Sequence, residues 1–136
     1  MPFGLMLADS HVPFRRELRR VIEANPGLRI IGEADDCVGL QGCLQSLSPD
    51  LILIDLFTPD FRGIESILDI RKSHPDAKIL VLTMYGNGAY ISRALAAGAD
   101  GYLLKENVPE ELIAAIESIQ KGRKYVSPAL DVKGTE

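Results

Sequence analysis

The chain repeats one arrangement, a short apolar run that ends in a polar residue. FGLMLA (3–8) runs into Asp9, LILI (51–54) into Asp55, KILVLT (78–83) ends at Thr83, and GYLLK (101–105) ends at Lys105. Two carboxylates, a hydroxyl and an ammonium suit an anion together with a hard cation such as Mg²⁺, which binds through carboxylates and retained waters. A carboxylate at the end of a buried run needs a partner, because an unpaired charge there is costly. Taken singly, Asp9 reads as a helix cap, Thr83 as a strand end and Lys105 as a solvated side chain. The joint pattern is far more specific than its parts. The stretch LADSH (7–11) also holds the ingredients of a hydrolase triad. Three adjacent residues cannot all face one another, and triads assemble from distant segments, so that reading fails.

These residues need a scaffold. LRIIGEA (28–34), whose nearest polar end is Glu33, completes five apolar runs. Their length and Ile, Leu and Val content fit strands buried on both faces. Helical patterns lie between them. In 13–24, Phe14, Leu18, Val21 and Ile22 share a face and Pro13 suits a first turn. Segment 37–47 follows Asp35 and Asp36 as caps, and 64–74 stops before Pro75. Segment 88–97 stops at Gly98, while 109–121 opens on acids and closes on Lys121–Gly122. Five strands alternating with five helices predict an α/β fold with an open, doubly wound parallel sheet; a closed barrel needs eight units. In such sheets ligands bind beyond the carboxyl ends of the strands, where the four polar residues fall.

The bulk properties narrow the function. The 136 residues suit one domain, and a net charge of −4 argues against a nucleic-acid surface. No apolar run approaches the ~20 residues of a membrane span. MPFGLMLADSH has no positive n-region and carries Asp9 where a signal peptide needs apolar residues, so the cytoplasm is expected. Cys37 and Cys43 form no C-x-x-C and read as buried, reduced thiols. FRRELRR (14–20) places Arg15/Arg19 and Arg16/Arg20 four apart, as on a solvated helix face. His11 and His74 are too far apart to suggest a metal pair; His11 reads as a loop residue and His74 as a helix end.

In this order, LADSH, LILIDLFTPDFRG, VLTMY and GADGYLLK resemble the receiver domain of two-component response regulators. MLADSHVPFRREL and GADGYLLKENVPEELIAAI resemble its LuxR/NarL-type branch, and the likeness spans about residues 4 to 128. The resemblance implies a (βα)5, flavodoxin-like sheet in the order 2-1-3-4-5, with the receiver over 1–124 and a tail beginning at 125. It implies that Asp55 accepts a phosphoryl group from a phosphohistidine of a sensor histidine kinase. Asp9, Asp55 and the backbone carbonyl of Phe57 would then hold Mg²⁺. Thr83 and Lys105 would meet phosphoryl oxygens, and Tyr102 would be the aromatic switch residue on the helix 4, strand 5 and helix 5 surface. Such a domain is a self-phosphorylating switch rather than a turnover enzyme. It pairs with itself on activation and controls transcription through a helix-turn-helix domain that this chain does not contain, so no nucleic acid or membrane contact is expected of it.

Several residues depart from the family pattern. Ser10 stands where most receivers have a second acid that contacts the metal, so Mg²⁺ binding is expected to be weakened. A serine hydroxyl, water or Glu33 is the expected substitute. Phe57, Met84 and Tyr85 flank the site, and the rings of Phe57 and Tyr85 are expected to screen an acyl phosphate from water. Ser10 also supports the rival reading of a phosphate-independent receiver that only dimerises or binds a partner. Two other classes fit poorly. Haloacid-dehalogenase phosphatases need a second Asp where Phe57 stands, and DSHVPF has no glycine with which to cradle a flavin phosphate.

Overall fold

The computed structural model describes residues 2–58, 62–84 and 86–128. In chain order the elements are β1 (Phe3–Ala8), α1 (Val12–Glu23), β2 (Leu28–Ala34), α2 (Cys37–Ser46), β3 (Leu51–Ile54) and α3 (Ile64–Ser73). There follow β4 (Lys78–Thr83), α4 (Gly88–Ala96), β5 (Gly101–Leu104), a 3₁₀ turn (Lys105–Asn107), α5 (Val108–Gln120) and β6 (Tyr125–Val126). The sheet is parallel in the order β2-β1-β3-β4-β5-β6. The five expected strands and five expected helices are therefore present, in the expected strand order. No helix of the described residues is long and apolar enough to cross a membrane.

The strands are apolar on both sides because helices cover both sides. Leu5, Leu7, Leu51, Leu53, Leu80, Leu82 and Leu103 share one cluster with Leu18 and Ile22 of α1 and Leu112 and Ile116 of α5. Met6, Ala8, Ile52, Ile54, Ile79, Val81, Tyr102 and Leu104 share the other with Leu40 of α2, Ile67 of α3 and Ile91 of α4. The split follows the two-residue alternation of a strand. Local signals end the helices as expected. Asp36 caps α2 by accepting from the Gly39 N–H at 2.7 Å, and Gly98, beyond α4, has φ +118°.

Two differences bear on the site. Lys105, read as the last residue of a strand, instead opens the 3₁₀ turn, because the chain must swing from β5 into α5. The segment from 125, read as the start of a tail, opens with β6, while 129–136 lie outside the described residues. Two residues carry no periodicity, so nothing local announces this strand; its partners are long-range. Gly101 pairs with Tyr125 and Tyr102 with Val126. The Ser127 N–H donates to the Tyr102 carbonyl at 3.1 Å. Glu111 of α5 accepts from the Tyr125 hydroxyl at 2.6 Å and the Ser127 hydroxyl at 2.9 Å.

Gly101 makes room for β6. A Cβ there would meet Leu80 Cδ1 at 2.8 Å, the Tyr125 carbonyl oxygen at 2.9 Å and Ile119 Cδ1 at 3.1 Å. One obstacle is backbone, which cannot turn aside as a side chain does. Gly101→Ala is expected to cost roughly 1–3 kcal/mol, in the range of overpacked cores, and to speed amide exchange at Ser127. A variant as stable as the parent by urea titration would contradict this close approach.

Candidate functional site

Alternation along the strands sorts the polar residues at the carboxyl edge. Leu7 pairs with Leu53, and Leu82 with Leu103. Two residues beyond these leucines come Asp9, Asp55 and Lys105, which therefore continue the side of the sheet covered by α1 and α5. Thr83 continues from Val81, whose partner is Tyr102, on the side covered by α2, α3 and α4. Thr83 and Tyr102 are diagonal neighbours there, within reach of each other.

Asp9, Asp55 and Lys105 form one cluster. The Lys105 Nζ lies 2.7 Å from Asp9 Oδ2 and 2.7 Å from Asp55 Oδ2. The lysine side chain is only 9% exposed and the two carboxylates are 2% and 14% exposed, respectively. The fourth side of the ammonium faces the Phe14 ring, with the centroid at 4.5 Å, an arrangement favourable by about 0.5–2 kcal/mol. Local turns aim both carboxylates. Asp9 Oδ1 accepts from the His11 N–H at 2.8 Å, and Asp55 Oδ1 accepts from the Phe57 N–H at 2.9 Å. The main chain adds to this, since the Asp55 N–H donates to the Ala8 carbonyl and the Thr58 N–H to the Asp55 carbonyl, each at 3.0 Å.

On the other side of the sheet, Tyr102 is 1% exposed and its hydroxyl is hydrogen-bonded to the Thr83 side chain. It is thus a buried group with a specific partner rather than a core-edge tyrosine with a wet hydroxyl. Thr83, Tyr102, Phe57, Asn87, Tyr90 and Arg93 line a cleft of about 290 Å³ beside Asp55. Phe57 is 69% exposed and stacks on Tyr90 of α4, with centroids 6.2 Å apart and planes at 17°. Its ring leans toward α4 while its backbone N–H turns to Asp55. Met84 is exposed at the same edge. Tyr85 lies outside the described residues.

Other expectations are revised. Glu33 is engaged elsewhere. It pairs with Arg15 at 3.6 Å and, more closely, with Arg19, both from α1, and so is held on the β2 side of the sheet. Arg15 and Arg19 are therefore not on a freely solvated face; the Arg15 side chain is mostly buried, because Glu33 and the Asp9 carbonyl draw it down. Arg20 turns outward and pairs with Glu17. Cys37 and Cys43 are partly rather than fully buried and form no disulfide. Sequence reasoning missed Phe14 as the cover of Lys105, Arg15 as a partner of Asp9, and Tyr90 as a partner of Phe57. The first two lie in the helical stripe that was read as core and surface. Only contacts across the sheet give them a further role.

The residues fit a single hard cation modestly. Two carboxylate oxygens converge on one positive charge, and the buried Asp9 Oδ2 has no hydrogen bond besides that ion pair. Ser10 is exposed, and no group of three or more His, Cys, Asp or Glu gathers among the described residues. Mg²⁺ commonly rests on one or two carboxylates and keeps several waters, so two acids without a third are a donor set of the kind it uses.

Burial pushes the Tyr102 hydroxyl up to about 12, with the Thr83 hydrogen bond pulling weakly the other way. Burial, and then the Glu111 carboxylate, raise Tyr125 to about 12 as well. An unfolded tyrosine ionises near pH ~10. Between about 10 and 12 the unfolded chain has released protons that the folded chain still holds. Stability is therefore fully present below pH ~10 and falls as pH rises toward ~12. Tyr102→Phe is expected to make that alkaline fall less steep in denaturant titrations. An unchanged fall would contradict the burial of this hydroxyl.

Comparison with known proteins agrees with this geometry. A family model described as the response regulator receiver domain matches residues 5–117. The nitrate/nitrite response regulator protein NarL of Escherichia coli is 35% identical over 131 residues, which is 95% of this chain and 60% of that protein. The transcriptional regulatory protein DegU of Brevibacillus brevis is 31% identical over 124 residues, 91% of this chain and 52% of that one. The chain thus spans between half and two thirds of the length of these relatives. Among solved structures, a LuxR-family two-component response regulator from an Aurantimonas species superposes with a TM-score of 0.91 at 35% identity, covering 99% of this chain and 98% of that one. The non-phosphorylated receiver domain of the stress response regulator RcsB from Escherichia coli gives 0.89 at 30% identity, covering 93% and 99%. With its sheet order, its acid–lysine cluster and these matches together, the chain belongs to the response regulator receiver family, in the LuxR/NarL-type branch.

Proposed function

We propose that this domain is a phosphoacceptor switch in which Asp55 takes a phosphoryl group from a phosphohistidine of a sensor histidine kinase. The observation that carries the reading is the Lys105 ammonium held at 2.7 Å from both Asp9 and Asp55 at the carboxyl edge of the sheet. A carboxylate oxygen of Asp55 forms the new P–O bond as the P–N bond breaks, and the electron pair of that bond leaves with the imidazole. Phosphoryl transfer needs positioning and neutralisation of the equatorial oxygens rather than covalent help. Lys105 supplies a buried positive charge to one oxygen, and Thr83 a hydroxyl donor to another. Asp9, Asp55 and the Phe57 carbonyl are the groups that would hold Mg²⁺, whose double charge would neutralise developing charge there. Ser10 offers at most a hydroxyl. The Phe57 ring, exposed and stacked on Tyr90, would limit water at the acyl phosphate only by swinging back from α4.

Drawing Thr83 toward a phosphoryl oxygen strains its bond to Tyr102 and so alters the surface of α4, β5 and α5. Coupling of this kind is typically worth ~1–3 kcal/mol. The downstream step is a self-association that controls transcription from the cytoplasm through a DNA-binding domain outside this chain. It draws support from relatives described as transcriptional regulators and from RcsB, known as dimers bound to DNA. The second reading, a phosphate-independent partner-binding module, is favoured only by Ser10.

Incubation with a small phosphodonor and Mg²⁺, read by intact mass, separates the two. The parent should gain one phosphoryl group, Asp55→Asn should gain none, and Ser10→Asp should reach half-modification at lower Mg²⁺. No adduct on the parent at high Mg²⁺ supports the module. Equal Mg²⁺ dependence in Ser10→Asp would mean that another group already fills the place of the missing acid.

A further inference from the structure

Asp9 has four polar groups, and each is held. Its N–H donates to the Ala34 carbonyl at 3.0 Å, Oδ1 accepts from the His11 N–H at 2.8 Å, and Oδ2 faces Lys105 at 2.7 Å. The fourth partner is Arg15, whose Nη1 donates to the Asp9 carbonyl at 3.0 Å. Asp9 begins the loop into α1, and Arg15 reaches back to it from the first turns of that helix. The guanidinium is itself anchored. Its buried Nε makes no hydrogen bond and is held by charge alone, 3.6 Å from Glu33 Oε1. Arg19 takes the other oxygen of Glu33 and also pairs with Glu23 at 2.8 Å. Glu33 stands on β2 directly opposite Leu7 of β1. A relay thus runs from α1 across the end of β1 to β2 and closes on the carbonyl of the proposed metal-side acid.

We propose that Arg15 is a positioning residue for Asp9, anchored for that task by Glu33. This rests on the reading of Asp9 as the metal-side carboxylate. A planar fork fixes its carbonyl and carboxylate partners in one rigid geometry, whereas a lysine ammonium is a rotatable point charge that does not. The need is greater here because Ser10 leaves Asp9 as the only acid of its loop, so any looseness in its carbonyl and Cα is passed undiluted to the metal site. Partners one step removed from a metal commonly change its affinity by about 10–100-fold when lost.

The alternative is that Arg15 and Glu33 act through their charges alone, and the two ideas differ in sign. As fixed charges, Arg15 would oppose Mg²⁺ and Glu33 would favour it, so their neutralisation would move affinity in opposite directions. As a clamp, both neutralisations weaken binding. The experiment is Mg²⁺ titration by calorimetry on Arg15→Gln, Glu33→Gln and Arg15→Lys, with amide exchange at His11 followed in metal-free protein. Expected are Kd values raised about tenfold or more in both glutamine variants, a smaller rise in Arg15→Lys, and faster exchange at His11 in all three. Opposite signs for the two glutamine variants, or exchange at His11 unchanged in both, would overturn the proposal. Should Arg15→Gln fail to fold, Arg15→Lys carries the same comparison, because it keeps the charge and loses the fork. A parent that neither binds Mg²⁺ nor takes a phosphoryl group would defeat the reading of the site, while exchange at His11 still decides whether Arg15 holds Asp9.

Discussion

One ammonium between two carboxylates organises the carboxyl edge of this sheet. Two like charges about 4 Å apart repel by about 4 kcal/mol at an effective dielectric of 20. Asp9 and Asp55 are nevertheless held together, nearly out of solvent, because Lys105 reaches both. The ladder brings the first two side by side, and the turn after β5 swings the third over them. Phe14 covers the remaining side of the cation. Removing one member of such a buried set leaves an uncompensated charge, which is more costly than the set itself is stabilising.

The polar residues of the edge are divided between the two faces of the sheet. The charged triad lies on the α1 and α5 side of the sheet, and the Thr83–Tyr102 pair on the α4 side. Thr83, at the end of β4, bonds Tyr102 on that second side. Tyr102 has neighbours in two directions, α4 through its ring and β6 through its backbone, where the Ser127 N–H donates to the Tyr102 carbonyl. β6 is also tied to α5 by Glu111. β6, the last described element, is therefore in direct contact with Tyr102.

Much of this was legible in the chain itself. Runs such as LILI, apolar at every position, require cover on both faces, and the polar residue after each run marks the functional edge. Asp9, Asp55, Thr83 and Lys105 were found by that logic alone. Elsewhere the information was not local. β6 is two residues long and exists through its pairing with β5 and through Glu111. Phe14 and Arg15 fit an ordinary helical stripe, and their contacts with Lys105 and the Asp9 carbonyl appear only when α1 is laid on the sheet. Glu33 looked like a spare acid for the site because it ends a strand. The arginines on α1 claim it first. Charge pairing between neighbouring elements is not written in any single segment.

Held this close and this dry, Asp9 and Asp55 require a shared cation. Lys105→Met tests it most directly, by thermal unfolding at neutral pH with and without Mg²⁺. The melting temperature should fall below the parent's in metal-free buffer and rise further than the parent's on adding Mg²⁺, because a ligand that binds only the folded state stabilises it more the tighter it binds and the two carboxylates are then unpaired. A variant that melts like the parent without metal, and responds to Mg²⁺ no more than the parent does, would contradict it.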